Sequence, residues 1–350
     1  MTRLLALLPV LALLSFPVRS QPFAEREDVR AFAAEMAQAH GFSAARLLAL
    51  FGRLSPNAAV LKAIAPPTEP ARRSWQDYRA RFVEPRRIQA GRRFWQQHAA
   101  ALAKARAVFG VPEEIIVAII GVESFYGREP GRFSAFQALA TLAFDYPPRA
   151  ELFRQELEEL LLLARQEKRS PLAYRGSYAG ALGLPQFLPS SIRHLGVDFD
   201  GDGDIDVIDS PWDAIGSVAN FLHQHGWQED GPISVPGTVA GDPAFLLAEG
   251  IKPQRLPAEM EAFGVQAENA PAQPAALIDL PTPDAQVEYR LGFRNFYALT
   301  RYNRSNFYAA AVADLAAAIR AARPCEPRPA AASGAAGPRP PTGSAAPAPG

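Results

Sequence analysis

The chain has 350 residues and balanced charge, with Lys+Arg 36 and Asp+Glu 36, so its formal net charge is zero. Proteins that hold nucleic acid by bulk electrostatics need a basic face, and the balance argues against that class. With 48% hydrophobic residues the chain can bury a substantial core, and its length suggests about two domains' worth of chain. One cysteine excludes an intramolecular disulfide and any cysteine-rich zinc site.

The N-terminus, residues 1–20, has the pattern of a secretory signal peptide. A positive charge precedes the apolar run of residues 4–16, and Val18 and Ser20 place small or medium side chains before a cleavage point at Gln21. The run is shorter than the ~20 residues that cross a bilayer comfortably. An uncleaved membrane anchor is the alternative interpretation. Because no cysteine follows the run to carry a lipid, we expect a soluble mature protein.

Helical periodicity dominates the region that follows. Apolar residues recur at helical spacing over residues 25–40, and Gly41 ends the pattern as a helix C-terminus. A loop-rich stretch, residues 231–288, carries β-prone pieces such as QVEYRLGF near its end. We predict a mainly α protein with a small β-containing segment, an α+β chain. The predicted helices cover residues 25–40, 85–110, 112–124, 133–144, 147–168 and 306–322.

One glutamate lies at the end of an intensely apolar helix, PEEIIVAIIGVES. The preceding residues are apolar on every face, so the helix should be buried all round and Glu123 with it. Burial of a carboxylate raises its pKa and holds a proton near neutral pH. A general acid for glycosidic bond cleavage needs that property. The alternative is a surface glutamate paired with Arg128.

The segment GSYAGALGLPQFLPSSI, residues 176–192, combines small residues with one glutamine. Small residues let a backbone approach a neighbouring helix or a ligand closely. Gln186 can both donate and accept hydrogen bonds, which suits the N-acetyl or hydroxyl group of a sugar. Taken alone, the segment is equally typical of a tightly packed helix pair.

Residues 198–209 read DFDGDGDIDVID and begin like an EF-hand calcium loop. Asp198, Asp200 and Asp202 occupy the first three ligand positions, and Asp204 stands where a backbone carbonyl binds the ion. Position twelve is Asp209, whose side chain is one methylene shorter than the usual glutamate. We predict a structural calcium ion, for which sodium could substitute. A solvated acidic turn is the alternative.

Residues 324–350 consist almost entirely of Ala, Pro, Gly and Ser. Such a composition cannot bury enough apolar surface to offset the entropy of ordering, so we predict a disordered tail. Cys325 lies at its start, and we predict no structural role for it.

GVESFYG and SYAGALGLPQFLPSS together resemble the lytic transglycosylase relatives of goose-type lysozyme, and more narrowly the murein transglycosylase B family. FWQQHAAALAKA, DAIGSVANFL and NRSNFYAAAV extend the resemblance in consistent order over about residues 25–322. The resemblance implies a lysozyme-like helical core at about residues 105–230. This core would lie within a catalytic region of residues 21–323 that has flanking helical and small β-containing parts.

The resemblance also implies an activity. Family members cleave the β-1,4 bond between N-acetylmuramic acid and N-acetylglucosamine, and the C6 hydroxyl of the muramyl residue attacks C1 to leave a 1,6-anhydro ring. The family's only catalytic acid and base matches Glu123, and no catalytic cofactor is needed. The alternatives are a hydrolysing muramidase of the same fold, which needs a second carboxylate or a positioned water opposite Glu123, and a non-catalytic peptidoglycan-binding scaffold.

Further site residues are implied by the same resemblance. Phe221 stands where relatives can carry tyrosine, and Pro148 where they can carry a second arginine, so details of sugar and peptide binding differ. Asp213 matches the carboxylate that closes the family's longer calcium loop, with Asp209 as the alternative. The implied substrate-binding residues are Ser177, Gln186, Tyr78, Arg149, Phe221, Tyr302, Asn303 and Tyr308.

The expected setting follows from the same family. The expected partners are peptidoglycan glycan strands in the periplasm and, by family analogy, cell-wall synthesis enzymes. We expect a monomer.

Overall fold

A computed structural model describes residues 22–66 and 73–323 of the chain. The predicted signal peptide, the predicted tail and Cys325 lie outside the described residues. The described part is mainly helical, as predicted. Its helices are α1 Glu27–His40, α2 Ala44–Phe51, α3 Ala58–Ile64, α4 Trp75–Phe82, α5 Pro85–Gln97, α6 Ala99–Phe109, α7 Glu113–Ser124, α8 Ala135–Asp145, α9 Ala150–Gln166, α10 Pro189–Leu195, α11 Pro211–Gln224, α12 Ala244–Ala248, α13 Pro257–Glu261, α14 Arg294–Tyr302 and α15 Asn306–Ala321.

Helix α7 is the centre of the helical core. Ile115 is 2% exposed and the side chains from Ile116 to Ile120 are fully buried, so the helix has no solvent-facing stripe before its last turn. It packs against α5, α6, α11 and α15, which enclose it on several sides. The prediction of a helix buried all round is therefore confirmed for its middle turns, and α7 meets the surface at its two ends, at Glu113 and at Val122 and Glu123.

The helix predicted over residues 85–110 is wrong as a single element. The chain forms α5 and α6, and between them His98 has φ −117° and ψ 26°, outside the helical range. The ring centroids of His98 and Phe94 lie 4.5 Å apart. Both helices pack on α7, but α5 also packs on α15 and α6 on α11, so the break turns two successive helices toward different additional partners. Periodicity alone does not reveal such a change of direction.

The small β-containing segment is confirmed. Four strands pair antiparallel in the order β4-β3-β6-β5, with Val235 opposite Leu291 and Leu277 opposite the same residue on the other side. Leu277, Leu291 and Phe293 join α12 and α13 residues in a second, smaller apolar core. The strands are β1 Phe133–Ser134, β2 Arg175–Gly176, β3 Ser234–Val239, β4 Val265–Gln266, β5 Ala276–Leu280 and β6 Glu288–Gly292.

The two remaining short strands lie beside the helical core. Strand β1 pairs antiparallel with β2, with Phe133 opposite Gly176. This pairing joins the segment after α7 to the start of the 176–192 segment, the two motifs singled out in the sequence. Within the described residues, no helix has the length and apolar character that a bilayer crossing requires.

Candidate active site

Glu123 occupies the last turn of α7, where the helix ends in an unusual turn. Phe125 and Tyr126 have φ of 50° and 60°, and Gly127 follows with φ 81°. The amides of Phe125 and Tyr126 donate to the carbonyls of Gly121 and Ile120, at 3.2 and 3.3 Å. Two consecutive non-glycine residues in the left-handed region cost roughly 1 kcal/mol or more each. Tertiary contacts must therefore stabilise the turn that follows Glu123.

A tyrosine fitted between two glycines supplies one such contact. A Cβ on Gly91 of α5 or on Gly121 of α7 would each lie 2.5 Å from the Tyr126 hydroxyl, so only glycine leaves room for the ring. The hydroxyl donates to the Arg87 carbonyl at 3.1 Å, and the Arg87 guanidinium donates to the Gly121 carbonyl at 2.7 Å. The same guanidinium lies 4.8 Å from the ring centroid of Phe125. Helix α5 thus holds the end of α7, a role that sequence reasoning missed.

Ser124 joins the glutamate to the 176–192 segment. Its hydroxyl is fully buried and donates to the Leu184 carbonyl at 2.8 Å, while it accepts from the Gly127 amide at 3.0 Å. The residue beside Glu123 is therefore bonded to the segment whose motif accompanied it in the sequence. In the sequence, the serine directly after Glu123 was the signal that could have indicated this link.

The Glu123 carboxyl has one hydrogen-bond partner among the described residues. The Tyr308 hydroxyl of α15 donates to Glu123 Oε1 at 2.7 Å. Burial raises the Glu123 pKa to about 7, and the bond from Tyr308 acts in the opposite direction. Burial and, to a smaller extent, the Glu123 charge raise the pKa values of Tyr308 and Tyr302 well above their usual range. The pairing with Arg128, the alternative to a buried acid, does not occur.

Aromatic rings from α11 and α14 line one side of the space around this carboxyl. Tyr302 stacks on Tyr308 with ring centroids 6.3 Å apart, and its hydroxyl donates to the Pro185 carbonyl at 2.6 Å. Phe221 lies 4.7 Å from Tyr302 and stacks on His225 at 4.1 Å. Phe221 is only 7% exposed, so most of its surface supports Tyr302 and little of it faces solvent.

Ser177 and Gln186 each bond to nearby backbone groups, and each keeps one polar function free. Ser177 Oγ accepts from the amides of Ala179 and Ala181, at 3.2 and 3.0 Å, which leaves its hydroxyl proton without a partner among the described residues. Gln186, with φ 50°, donates through Nε2 to the carbonyls of Pro130 and Gly183 at 3.0 and 2.9 Å. Its Oε1 has no partner in the same part of the chain. One donor and one acceptor therefore remain for a ligand.

Tyr78 and Asn303 border a pocket of about 500 Å³. The Tyr78 ring lies 5.6 Å from that of Phe307, the residue before Tyr308, so this pocket adjoins the glutamate. Burial and the Glu123 charge raise the Tyr78 pKa. Arg149 is placed differently, at the exposed start of α9 with its guanidinium 5.1 Å from the Phe153 ring centroid. The structure shows no contact between Arg149 and the residues around Glu123 in the part of the chain it describes.

The acidic loop gathers three of the proposed metal ligands. Carboxylate oxygens of Asp198, Asp200 and Asp202 lie within 4.8 Å of one another. Asp198 accepts from the amides of Gly201 and Gly203, at 2.7 and 2.9 Å, which fixes the turn. Three converging oxygen donors fit a calcium ion, which prefers oxygen ligands at ~2.3–2.6 Å.

The other predicted ligands lie outside this cluster. Asp213 is 1% exposed and uses both oxygens on backbone amides: Oδ1 accepts from Phe199 at 2.8 Å and Oδ2 from Asp206 at 2.8 Å. Asp204 and Asp209 are exposed, and their carboxylates do not join the three. Asp213 therefore organises the loop from beneath, a function that ligand spacing did not predict.

Comparison with known proteins places this geometry in context. The sequence model of the family described as Transglycosylase SLT domain matches residues 24–317. The chain is 41% identical over 316 residues to the membrane-bound lytic murein transglycosylase B of Escherichia coli strain K12, covering 86% of this chain and 85% of that protein.

Solved structures agree in fold. The soluble lytic transglycosylase SltB1 of Pseudomonas aeruginosa is 44% identical with a TM-score of 0.79, covering 84% of this chain and 99% of that one. The Escherichia coli lytic transglycosylase Slt35 in complex with calcium is 39% identical with a TM-score of 0.77, at 86% and 95% coverage. SltB3 of Pseudomonas aeruginosa in complex with NAG-NAM-pentapeptide is 31% identical with a TM-score of 0.74, at 86% and 80% coverage.

Proposed function

The chain belongs to the SLT-domain lytic murein transglycosylases, which cleave peptidoglycan, and we propose that Glu123 is its single catalytic acid and base. The observation that carries this proposal is the environment of that carboxyl. Burial raises its pKa to about 7, so near neutral pH it can both give and take a proton. Within the described residues it has the Tyr308 hydroxyl as its partner, and no second carboxylate accompanies it.

A single carboxyl suffices because the substrate supplies the nucleophile. Glu123 in its protonated form donates to the oxygen of the β-1,4 bond as the bond from C1 to the departing N-acetylglucosamine breaks. The C6 hydroxyl of the muramyl residue then attacks C1 and gives its proton to the Glu123 carboxylate. The 1,6-anhydro ring forms, Glu123 is again protonated, and no water is consumed. Proximity within one sugar gives that hydroxyl a high effective concentration.

The free polar functions near Glu123 suit N-acetyl sugars. We assign the Ser177 hydroxyl proton and Gln186 Oε1 to hydrogen bonds with sugar hydroxyl or acetamido groups, because the protein leaves both without partners among the described residues. Tyr78 and Asn303 would border the glycan at the pocket. Tyr302 and Tyr308 would form the aromatic wall that Phe221 supports. Arg149 is retained as a proposed contact for a more distant acidic group.

We also propose a structural calcium ion in the acidic loop. The three converging carboxylates support it, and the related Slt35 structure contains calcium. Asp198, Asp200 and Asp202 would bind the ion together with the Asp204 carbonyl. Asp213 is the proposed closing carboxylate, with Asp209 as the alternative.

The remaining proposals concern setting. Peptidoglycan as substrate and the signal-peptide pattern of residues 1–20 support a periplasmic protein. Contacts with cell-wall synthesis enzymes, and a monomeric state, remain proposals by family analogy.

Product analysis of Glu123→Gln tests the catalytic assignment. Mass spectrometry of digested peptidoglycan should show anhydro-muropeptides with the unchanged protein and none above background with Glu123→Gln. Glu261→Gln is the matched control, because Glu261 is exposed in the small β-containing segment. Full activity of Glu123→Gln, or water-added reducing ends as the main product, would refute the proposal.

A further inference from the structure

The pocket bordered by Tyr78 and Asn303 carries three arginines that the catalytic proposal does not use. Arg73 precedes α4, Arg81 lies in α4, and Arg304 lies between α14 and α15, so two separate segments bring three cations to one space of about 500 Å³. We call this space the arginine pocket.

The cations of the arginine pocket are not neutralised by the protein. Arg79, two residues from Arg81, pairs with Asp314. By contrast, Arg73, Arg81 and Arg304 are exposed and form no ion pair with another residue in the described ranges. Among the residues that the structure describes, Asp77 is the one acidic residue that lines the space. The pocket therefore presents a net positive charge to a ligand.

The arginine pocket lies close to the catalytic residue through two of its lining side chains, Tyr78 and Phe307. Phe307 lines the pocket, and the next residue, Tyr308, donates its hydroxyl to Glu123. Tyr78 lies within electrostatic range of both Glu123 and Arg81. Burial and the Glu123 charge raise the Tyr78 pKa, and the Arg81 charge lowers it. A substrate whose scissile bond lies at Glu123 therefore has the arginine pocket beside it, where a branch or a neighbouring unit would meet guanidinium groups.

We propose that the arginine pocket binds the carboxylates of the peptide branch that muramic acid carries in peptidoglycan. This rests on the proposed function, which places the glycan at Glu123. The sugars of the glycan backbone carry no net charge once the lactyl group is joined to peptide, so the substrate's anions lie on the peptide. Guanidinium groups match carboxylates in geometry as well as charge. The pocket would thus favour strands that still carry their peptides.

Three substrates separate charge recognition from glycan binding. They are intact peptidoglycan strands, strands stripped of peptides by an amidase and then amidated at the freed lactyl carboxylates, and intact strands whose carboxylates have been converted to carboxamides. The unchanged protein should cleave intact strands with a higher kcat/KM than either of the other two. Added salt should shrink that preference, because exposed charge pairs are screened.

The Arg81→Ala, Arg304→Ala double variant should remove the preference. Its kcat/KM on intact strands should fall about tenfold, the scale that two exposed charge pairs together give. On stripped and amidated strands its kcat/KM should be little changed. Arg93→Ala, Lys252→Ala is the control, because both residues are exposed basic side chains away from the pocket. It should behave like the unchanged protein on all three.

Two results would overturn the proposal. One is equal cleavage of intact and amidated strands by the unchanged protein, which would show that the carboxylates are not recognised. The other is an equal loss on all three substrates in the double variant, which would assign the arginines to glycan binding or to the fold. Glu123→Gln should abolish cleavage of every substrate, so failure of the catalytic assignment is a separate result.

Discussion

The Tyr308 hydroxyl donates a 2.7 Å hydrogen bond to Glu123 Oε1 across 185 positions of sequence. The bond joins α15 to the end of α7, two helices that also pack against each other. Its effect on the glutamate is opposite to that of burial, since burial raises the Glu123 pKa and the hydroxyl stabilises the charged form. The balance of the two effects leaves the pKa of the carboxyl near neutral pH. A group that must alternate between acid and base is most effective when its pKa lies there.

The pH dependence of cleavage should report this balance. The first step needs protonated Glu123, whose pKa is about 7. We therefore expect kcat/KM to fall as pH rises through that value, measured as the rate of anhydro-muropeptide formation. A kcat/KM that stays level well above neutrality would contradict the assignment of Glu123 as the acid.

Stability should depend on pH through the same group. The pKa of Glu123 is about 7 in the folded protein against an ordinary value of 4.5, so the folded state binds the proton more tightly. The contribution of this group to stability is fully present below its ordinary pKa of 4.5. It is lost as pH rises through the folded-state pKa. Glu123→Gln does not ionise, so at pH above both values it should be more stable than the unchanged protein by ~1–3 kcal/mol.

Denaturant unfolding of both proteins below and above this window measures the effect. The difference in unfolding free energy between them should grow with pH. Glu261→Gln, an exposed substitution of the same kind, should show no such growth. Parallel pH dependence of the unchanged protein and Glu123→Gln would mean that the folded state does not raise this pKa.

Removal of the Tyr308 hydroxyl should move the pH profile. Tyr308→Phe keeps the ring and deletes the donor that stabilises ionised Glu123, so the pKa of the glutamate should rise. The alkaline fall of kcat/KM should shift to higher pH, and kcat should drop by about tenfold as the carboxyl loses its orienting bond. Tyr297→Phe is the control, since no hydrogen bond of the Tyr297 hydroxyl occurs within the described residues. An unshifted profile in Tyr308→Phe would contradict the inferred role.

Local pattern predicted α1, α7, α8, α9 and α15 but not α11, and the desolvation of the Glu123 carboxyl at the end of α7 followed from the apolar run before it. The partners of that carboxyl could not be derived in the same way. Periodicity contains no information on which carbonyl Ser124 meets, and the 2.8 Å bond to Leu184 spans 60 positions. The break at His98 depends on the different additional partners of α5 and α6. Long-range contacts of this kind depend on how distant segments pack together. A short stretch of sequence does not contain that information.

The fit of Tyr126 between two glycines should be sensitive to one methyl group. In Gly91→Ala the new Cβ would lie 2.5 Å from the Tyr126 hydroxyl and 2.7 Å from Ile319 Cδ1. We expect a stability loss of ~1–3 kcal/mol from overpacking. Displacement of Tyr126 should also disturb the turn after Glu123, so kcat should fall more than KM changes. Tyr126→Phe, which loses only the bond to the Arg87 carbonyl, should show a smaller effect of the same kind.

Gly52→Ala is the matched control for this experiment. Gly52 has φ −63°, and its nearest neighbour to a new Cβ is the Leu48 carbonyl at 3.4 Å, an ordinary contact. This variant should keep both its melting temperature and its kcat. If Gly91→Ala were as active and stable as Gly52→Ala, the close fit of Tyr126 would not position the catalytic helix.

Calcium removal should lower the melting temperature. The carboxylates of Asp198, Asp200 and Asp202 lie within 4.8 Å of one another, and without a cation they repel. A ligand that binds only the folded state stabilises it by an amount that grows with the logarithm of its free concentration over Kd, so a chelator should lower the melting temperature by about 5 °C and added calcium should restore it.

Single substitutions identify which carboxylates hold the ion. Asp200→Asn should abolish the response to calcium, whereas Glu268→Gln, an exposed control in the small β-containing segment, should keep it. Asp209→Asn should also keep the response, because the proposed closing ligand is Asp213, whose Oδ1 accepts from the amide of the cluster residue Asp200. Loss of the calcium response in Asp209→Asn would transfer the closing role to Asp209. A melting temperature that the chelator leaves unchanged in the unaltered protein would contradict a structural calcium ion altogether.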